Sequence, residues 1–267
     1  MIPCLRLFKP PTPKLVDKLI YVLICLLTAI SAIPVSILRK RTLRQSVSIV
    51  FTTLMPKDLL IEFMGVRFIA RKGKADILLL NSLSSPKMWD YFTPSEGDVV
   101  VDVGAHVGKY ALVAAKRVGI EGKVIAIEAH PENFKALLDN IRLNDFHNVI
   151  ALNAAAFSEN GKTLRLFGQW DTSYSLKSWD ARHTRVEART TDSILKQYGV
   201  SNVDWVKIDV EGAETEVLLG MKETIENSPN LKMLVEVNRS NEHDIDQILS
   251  GFGKKCIKRP DMFYWKD

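Results

Sequence analysis

Residues 102–108 read Asp102-Val103-Gly104-Ala105-His106-Val107-Gly108. This stretch ends an apolar run that starts at Asp98, and it precedes Lys109–Val118, where the apolar residues have helical spacing. A strand, a glycine-rich turn and a helix in this order are typical of an open α/β sheet, and the turn lies at the crevice where such sheets bind ligands. Gly104 allows the tight turn, and Gly108 allows close packing of the helix or close approach of a ligand.

Strands and helices continue to alternate after this turn. We predict strands at Lys123–Ile127, Asn148–Asn153, Trp205–Ile208 and Leu231–Val237, a helix at Pro131–Asn144, and two short strands at Lys254–Lys258 and Met262–Trp265. The proline at the first position of the predicted helix is favourable there. Such alternation predicts an α/β fold with a mostly parallel sheet and helices on both faces.

A smaller element precedes this pattern, at residues 58–82. The segments LLIEFMG, VRFIARKG and DILLLNS are short and apolar, and the first two alternate between apolar and polar residues. We therefore predict short strands in all three segments, which form a small β element ahead of the main sheet.

The glycine-rich turn also distinguishes between cofactor classes. A dinucleotide site needs Gly-x-Gly-x-x-Gly, but counting from Gly104 the second glycine is replaced by His106 and the third by Lys109. A P-loop motif is also absent from the sequence. Gly161-Lys162-Thr163 matches the end of that motif, but the glycine that it needs five residues before Gly161 is replaced by Ala156. S-adenosylmethionine has no pyrophosphate and tolerates a side chain at position 106, so we expect this cofactor.

Acidic residues follow two of the predicted strands. Glu128 ends the second strand, where a carboxylate can accept hydrogen bonds from ribose hydroxyls. The alternative is that this acid has no ligand and stabilises the N-terminus of the next helix. Asp209 and Glu211 follow the strand Trp205–Ile208 and are candidates for a general base or for binding a substrate hydroxyl. Glu211 could instead be an acid at a helix start, and the residues alone do not rank the two.

These segments resemble the FkbM family of S-adenosylmethionine-dependent methyltransferases. The resemblance runs from about residue 75 to residue 240 and rests on VVVDVGAHVGKY, LNAAAFSENG, TTDSIL and VDWVKIDVEGAETEVLLG. It implies the Rossmann-like class I methyltransferase fold with a seven-stranded sheet, and methylation of hydroxyls, often on sugars or polyketides. The chain is then divided into a basic N-terminal segment (1–45), a small β-rich extension (46–95) and a methyltransferase domain (96–267).

The resemblance also implies roles for individual residues. The methionine end of the cofactor is expected at Asp102, Gly104, Ala105 and Gly108, and His106 in the same turn is also expected to bind the cofactor. His106 stands where the family commonly has asparagine, so the polar role at this position is kept or shifted. Glu128 is expected to bind the ribose, and Asn153, Ala154 and Ala155 are expected near the adenine.

The positive charge of the chain is concentrated at its N-terminus. The whole sequence has 36 basic and 31 acidic residues, and residues 1–45 contain eight of the basic ones and one acidic residue, Asp17. Residues 46–267 therefore include 28 basic and 30 acidic residues. This part of the chain lacks the positive field that nucleic-acid binding needs. We expect no nucleic-acid partner, and an attraction of the N-terminal segment to anionic lipid.

An uncharged stretch in this basic segment predicts a membrane anchor. Leu19–Leu38 contains no charge over 20 residues, and a helix of this length spans the hydrocarbon core. Lys18 precedes it and Arg39-Lys40-Arg41 follows, which favours an uncleaved anchor over a signal peptide. The alternative is a buried or interfacial helix kinked at Pro34. Because the cofactor is intracellular, we expect the methyltransferase domain on the cytoplasmic side.

The acceptor end is less specific in the sequence. The segment between Phe167 and Val186 contains Trp170, Tyr174 and Trp179 among polar residues, which could hold a sugar ring or could simply form a hairpin over the sheet edge. His183 is a further candidate base or a surface residue. We expect O-methylation of a sugar, glycan or glycolipid hydroxyl at the membrane. The alternatives are a membrane-tethered binding protein without catalysis and a nicotinamide-dependent reductase.

No metal site is expected. Cys4, Cys25 and Cys256 form no Cys-x-x-Cys pair, so neither a zinc site nor a disulfide framework is indicated. A divalent metal held by Asp209 and Glu211 is a minor alternative, because no histidine-rich motif accompanies them.

Overall fold

The computed structural model describes residues 57–80, 88–169, 173–175, 183–237, 242–258 and 263–266. These residues belong to two compact units, of which the first contains residues 57–80 and the second contains the others. The predicted anchor at Leu19–Leu38 lies outside the described residues. Among the residues that are described, no helix is long and apolar enough to cross a membrane.

The first unit contains a β-hairpin. Strands β1 (Leu59–Phe63) and β2 (Val66–Ala70) are antiparallel, and every second side chain on each is buried. Met64 and Gly65 join them with positive φ angles of 53° and 74°, which is the geometry of a tight two-residue hairpin turn. The two strands predicted from alternation are confirmed.

The third segment of the first unit was predicted wrongly as a strand. Asp76–Leu79 forms a one-turn helix, α1, instead. The side chain of Asp76 is fully buried and accepts hydrogen bonds from the backbone N–H and the guanidinium of Arg71, at 2.7–3.0 Å. This buried ion pair holds the helix start against the end of β2. A short apolar run such as ILLL has no periodicity that separates a strand from a helix, and here the tertiary contact decides.

The second unit is built on a seven-stranded sheet. Its strands are β3 (Val99–Val103), β4 (Lys123–Ile127), β5 (Val149–Leu152), β10 (Trp205–Ile208), β11 (Lys232–Val235), β12 (Lys255–Lys258) and β13 (Phe263–Lys266). Their order is β12-β13-β11-β10-β3-β4-β5. The five strands from β11 to β5 are parallel, and β13 runs antiparallel to both of its neighbours. The predicted mostly parallel, seven-stranded sheet is confirmed, with strand ends shifted by at most two residues.

Helices cover this sheet. They are α2 (Lys109–Val118), α3 (Pro131–Leu143), α4 (Thr191–Gln197), α5 (Glu214–Leu219), α6 (Lys222–Asn227) and α7 (Glu242–Gly251). The central strands are almost wholly buried, as strands with both faces covered must be. One face packs on apolar residues of α4 to α7, in a core that includes Val101, Ile125 and Val206. The alternating pattern of the sequence therefore produces the layered α/β arrangement that it predicted.

The remaining strands form a smaller sheet. They are β6 (Ala155–Ala156), β7 (Thr163–Gln169), β8 (Ser173–Ser175) and β9 (His183–Arg189), in the order β6-β9-β7-β8. Strands β7 and β9 are antiparallel and enclose most of the polar, aromatic segment between Phe167 and Val186. The strands that flank this segment are paired as in a hairpin, while Trp170 and Trp179 lie outside the described residues, so the choice between sugar contacts and a cover for the sheet edge stays open.

Candidate active site

The carboxyl edge of the sheet brings together residues from four neighbouring strands. In the sheet register, Val103 of β3 is paired with Ile127 of β4 and with Ile208 of β10, and Ile208 is also paired with Val235 of β11. The residues that follow these four therefore leave the sheet at one level: Gly104, Glu128, Asp209 and Glu236. The chain runs from β3 outward to β4 in one direction and from β10 outward to β11 in the other. The crevice of an open α/β sheet lies at such a reversal.

The glycine-rich turn is fixed by contacts to both neighbouring strands. The N–H groups of Gly104 and Ala105 donate to the carbonyl oxygen of Ile127 at 2.9 and 3.0 Å. Gly104 has a φ of +79°, and a Cβ there would lie 1.9 Å from the backbone carbonyl oxygen of Asp209. Glycine is therefore required at position 104 because strand β10 ends directly against it. The sequence had indicated only the need for a tight turn.

Gly108 serves helix packing. A Cβ at this position would lie 2.3 Å from Leu112 Cδ1 in α2 and 2.8 Å from Leu137 Cδ1 in α3, so these two leucines would have to move. Of the two roles considered for Gly108, close helix packing agrees with the structure.

Glu128 joins the turn to the end of β4. Its carboxylate accepts the backbone N–H of His106 at 2.7 Å through one oxygen and that of His130 at 2.8 Å through the other. Burial raises the pKa of Glu128 to about 7, and these two hydrogen bonds oppose the rise. Each oxygen keeps a second lone pair, so the carboxylate can still accept a ribose hydroxyl. The ribose role remains a prediction, and the structure adds that Glu128 also orients the turn.

The segment predicted near the adenine lies beside Glu128. The side-chain amide of Asn153 donates to the backbone carbonyl oxygens of Glu128 and Ala129, at 2.8 and 2.9 Å. Ala154 and Ala155 are buried, and Ala155 is paired with Ala188 of β9. Asn153 itself is exposed and holds the chain that follows β4 against the end of β5. Contact of these residues with adenine stays a prediction.

A buried lysine lies beneath the crevice. Lys207 Nζ lies 3.3 Å from Asp102 Oδ1 and 3.5 Å from Asp209 Oδ2, and it donates to the carbonyl oxygen of Gly104 at 3.1 Å. The ammonium is also 5.0 Å from the centroid of the Tyr110 ring. The side chains of Lys207 and Asp102 are 3% and 0% exposed, whereas that of Asp209 is 29% exposed. Of these three charged groups, Asp209 is therefore the one that a substrate can reach.

Asp102 has a structural task in this cluster. Its Oδ2 accepts the backbone N–H of Ala111 at 2.9 Å, in the first turn of α2. A negative charge at this helix end is also favoured by the helix dipole. Asp102 thus holds both the start of α2 and the ammonium of Lys207. Its predicted contact with the cofactor is untested, and its full burial means that it acts on the site through these partners.

The charges in this cluster shift one another's pKa values. Burial lowers the pKa of Lys207, but the charges of Asp102 and Asp209 outweigh burial and hold it above the ordinary value. Burial keeps the pKa of Asp102 above its ordinary value against the attraction of Lys207. Burial also acts to raise the pKa of Asp209, yet Lys207 and a hydrogen bond with Glu236 bring it below the ordinary value. Lys207 and Asp209 are therefore both charged at neutral pH.

Glu211 lies in a strained turn at the same edge. It has a φ of +54°, which is unusual for a residue with a side chain, and His106 in the glycine-rich turn has a φ of +52°. Non-glycine residues in this conformation concentrate at functional sites. The backbone N–H of Gly212 donates to a carboxylate oxygen of Glu214 at 2.8 Å, so Glu214 also takes part in the start of α5. The choice between a site role and a helix-start role for Glu211 stays a prediction. In the described part of the chain, no group of three acidic, histidine or cysteine residues is arranged to hold a metal ion.

His183 is the further candidate base that the sequence offers. It is exposed on β9, with its ring centroid 5.7 Å from that of Phe167. Its role as an alternative base stays a hypothesis.

Sequence reasoning missed two residues of this site, Lys207 and Glu236. The signal for Lys207 was present, because a lysine between Val206 and Ile208 in a fully buried strand needs a buried partner. Glu236 was missed because the last parallel strand was predicted to run to Val237. The strand ends at Val235, so Glu236 follows a strand end just as Glu128 and Asp209 do.

The comparisons with known proteins agree with this geometry. The sequence profile described as the methyltransferase FkbM domain matches residues 102–256, which is more than half of the chain. The chain belongs to the FkbM methyltransferase family. Its cofactor is accordingly S-adenosylmethionine. The residues at the crevice fit this group, because a carboxylate with free acceptor positions ends β4 and a histidine stands at position 106, where a dinucleotide site needs a glycine.

Individual FkbM relatives are similar over part of their length. The chain is 26% identical to the methyltransferase sdnD of Sordaria araneosa over 157 residues, which cover 46% of this chain and 60% of sdnD. It is 27% identical to the hexuronic acid methyltransferase AglP of Haloferax volcanii over 165 residues, which cover 58% of this chain and 62% of AglP. The chain thus spans about three fifths of the length of these relatives. A solved structure of a SAM-dependent methyltransferase from Aquifex aeolicus matches with a TM-score of 0.40 and 18% identity, over 67% of this chain and 86% of that chain.

Proposed function

We propose that this FkbM protein transfers a methyl group from S-adenosylmethionine to a hydroxyl oxygen of a sugar, glycan or glycolipid at a membrane. The observation that carries this proposal is the position of Asp209. Its carboxylate is partly exposed at the crevice, beside the glycine-rich turn, and is fixed from below by Lys207.

The cofactor would be held on the β4 side of the crevice. Glu128 would accept hydrogen bonds from the ribose, the turn from Gly104 to Gly108 would hold the methionine end, and Asn153–Ala155 would border the adenine. S-adenosylmethionine supplies a methyl group on a positively charged sulfur, which is a good leaving group. The protein therefore has to orient the acceptor and to remove its proton, and orientation by itself can supply a large part of the acceleration.

Asp209 is suited to bind the acceptor hydroxyl. An alcohol is a weak nucleophile until its proton can leave, and a carboxylate within hydrogen-bond reach can receive that proton. Lys207 keeps Asp209 ionised and restricts its orientation, so an oxygen of the carboxylate can face the acceptor. Glu211, in the strained turn two residues later, would contact the acceptor or the edge of the cofactor.

An acidic sugar is the acceptor class we put first. The relative AglP acts on a hexuronic acid, and the FkbM resemblance includes methylation of sugar hydroxyls. The smaller sheet of β6 to β9 follows directly on the Asn153–Ala155 segment, so its loops are in a position along the chain to contribute acceptor contacts.

The membrane location rests on the sequence. Leu19–Leu38 is long enough to span the hydrocarbon core, and basic residues flank it on both sides. We place the methyltransferase domain on the cytoplasmic side, where its cofactor is made.

The test is Asp209→Asn in the full-length protein, with Glu211→Gln beside it. Labelled methyl transfer to a glucuronic-acid oligosaccharide is measured together with the affinity for S-adenosylmethionine. We expect Asp209→Asn to lower turnover about a hundredfold or more while cofactor affinity changes little. Normal turnover in both variants would make these acids structural. Loss of cofactor binding would move Asp209 into the cofactor pocket, and a nicotinamide dinucleotide bound in preference would reject the proposal.

A further inference from the structure

A second carboxyl group lies next to Asp209. Glu236 follows β11 as Asp209 follows β10, and these two parallel strands are neighbours, with Ile208 paired to Val235. The backbone N–H of Glu236 donates to the carbonyl oxygen of Ile208 at 2.9 Å, which fixes the level at which its side chain leaves the sheet. Because residues 209 and 236 follow paired positions of neighbouring parallel strands, their carboxyl groups lie close enough to share a hydrogen bond when one of them is protonated. Two ionised carboxylates this close would repel each other, so the arrangement favours a proton on one of them.

The surrounding charges decide which one carries the proton. Burial and the charge of Asp209 raise the pKa of Glu236 to about 9, and Lys207 opposes the rise. The pKa of Asp209 lies below its ordinary value, because Lys207 and the bond from Glu236 outweigh burial. The proton therefore resides on Glu236 at neutral pH, and Glu236 donates it to Asp209.

Charged and titratable groups reach this pair from each element around it. Those that act on Glu236 or Asp209 are Lys207 from β10, Glu211 from the turn that follows, Tyr110 and Lys109 from α2, His106 from the glycine-rich turn, and Asp102 from β3. Lys207 is the charge in this group that is buried in direct contact with the pair. It favours one negative charge on the pair, and a second negative charge appears only when Glu236 loses its proton.

We propose that Glu236 is the proton-carrying partner of Asp209, and that this carboxyl pair, rather than Asp209 alone, takes the proton of the acceptor hydroxyl. This proposal rests on the proposed function. With Glu236 protonated, Asp209 is bound by both Lys207 and Glu236 and is a weak base. When Glu236 is ionised, the pair carries a second negative charge and binds a proton tightly.

The reaction then balances. The acceptor oxygen forms a bond to the methyl carbon, the carbon–sulfur bond breaks with its electron pair remaining on sulfur, and the hydroxyl proton passes to the ionised pair. The pair returns to its form with one proton, which is lost to water before the next turnover. Glu236 acts here through Asp209 as a positioning residue, and it sets the pH at which the pair becomes a base.

Glu236→Gln separates this role from a purely structural one. Glutamine has the shape of the protonated glutamate and can donate the same hydrogen bond to Asp209, but it cannot lose the proton. We expect the variant to equal the natural protein near pH 6.5 and to fall behind it as the pH rises, by about tenfold or more at pH 9. Glu121→Gln, at an exposed site, is the matched control and should keep the natural pH profile.

The experiment uses the full-length protein in detergent, with labelled S-adenosylmethionine and a glucuronic-acid oligosaccharide as the probe, from pH 6 to pH 10. Carbon-13 NMR of labelled glutamate carboxyl groups is measured on the same samples. The natural protein should show one glutamate that titrates near pH 9, absent from Glu236→Gln. In Asp209→Asn it should titrate at lower pH, because the neighbouring charge is gone.

Each outcome is decisive. If no glutamate of the natural protein titrates near pH 9, or if such a titration persists in Glu236→Gln, Asp209 and Glu236 do not share a proton. Identical pH profiles of the natural protein and Glu236→Gln overturn its part in proton transfer. If the natural protein methylates no uronic-acid probe, the proposed acceptor and the role of the pair in its methylation are rejected, while the NMR titration separately decides whether the pair exists.

Discussion

Replacing Lys207 by methionine tests the buried charge cluster beneath the crevice. Methionine keeps most of the length of the side chain but removes the ammonium, which lies 3.3 Å from Asp102 and 3.5 Å from Asp209. Asp102 is fully buried, and among the residues that the structure describes it would keep the N–H of Ala111 as its one hydrogen-bond donor. Removing one partner of a buried ion pair costs about 3–5 kcal/mol, because the other charge stays behind. For a domain of this size that lowers Tm by roughly 6–20 °C.

The pH dependence of this loss has a definite sign. Burial already raises the pKa of Asp102, and without Lys207 the opposing attraction disappears, so the pKa rises further. A carboxyl group whose pKa is higher in the folded than in the unfolded protein contributes stability at low pH, which is lost as the pH rises through the folded pKa. The free energy of unfolding of Lys207→Met should therefore fall further below that of the natural protein at pH 8 than at pH 5.

The assay is urea unfolding of full-length protein in a mild detergent, for Lys207→Met, Asp102→Asn and the double variant. Asparagine at position 102 can still accept a hydrogen bond from the N–H of Ala111, but it leaves no unpaired buried charge when Lys207 is replaced. We expect the double variant to be more stable than Lys207→Met by at least about 1 kcal/mol. If Lys207→Met is as stable as the natural protein at pH 8, or if its loss of stability is the same at both pH values, Lys207 does not stabilise the buried charge of Asp102.

Three further predictions address the turn, the cofactor and the membrane. Gly104→Ala should destabilise the protein by about 1–3 kcal/mol more than Gly161→Ala, as measured by urea unfolding. Both glycines have φ near +78°, but an added Cβ meets a backbone oxygen at 1.9 Å at position 104 and nothing within 4 Å at position 161. Equal losses of stability would contradict the close approach of β10 to the turn. Glu128→Gln should weaken S-adenosylmethionine binding by about 1–3 kcal/mol in calorimetry. The natural affinity should strengthen as the pH rises through about 7, where Glu128 becomes ionised, and this trend should be weaker in the variant; unchanged affinity would reject the ribose role. Full-length protein should stay in the membrane pellet after a high-salt, alkaline wash, and so should a variant in which Arg39-Lys40-Arg41 are changed to glutamine. Leu27→Arg should be released, because a charge at the centre of the predicted helix costs about 2.5–3.5 kcal/mol. Release of the natural protein by salt would mean that the basic residues alone hold it at the membrane.

Most of the fold could be predicted from the sequence, from the spacing of its apolar residues and from the positions where the predicted strands end. The run before Gly104 and the alternation after it predicted the parallel sheet, because buried strands and amphipathic helices have different periods that are set by local geometry. The same logic placed Glu128 and Asp209 at the crevice, since the carboxyl ends of parallel strands lie at one edge. It failed for Asp76–Leu79, where a run of leucines fits a strand and a helix equally well and the buried pair with Arg71 decides.

Only the tertiary structure decided how these residues work together. The sequence required glycine at position 104 for a turn, but the register of β3 and β10 shows that the carbonyl of Asp209 lies directly against it. Lys207 and Glu236 became site residues only when the strand ends and partners were known, because the charge of a buried group depends on what surrounds it. Sequence spacing determines which residues reach the edge of the sheet. Their pKa values and hydrogen bonds depend on distances between strands that are far apart in the chain, and these exist only in the folded protein.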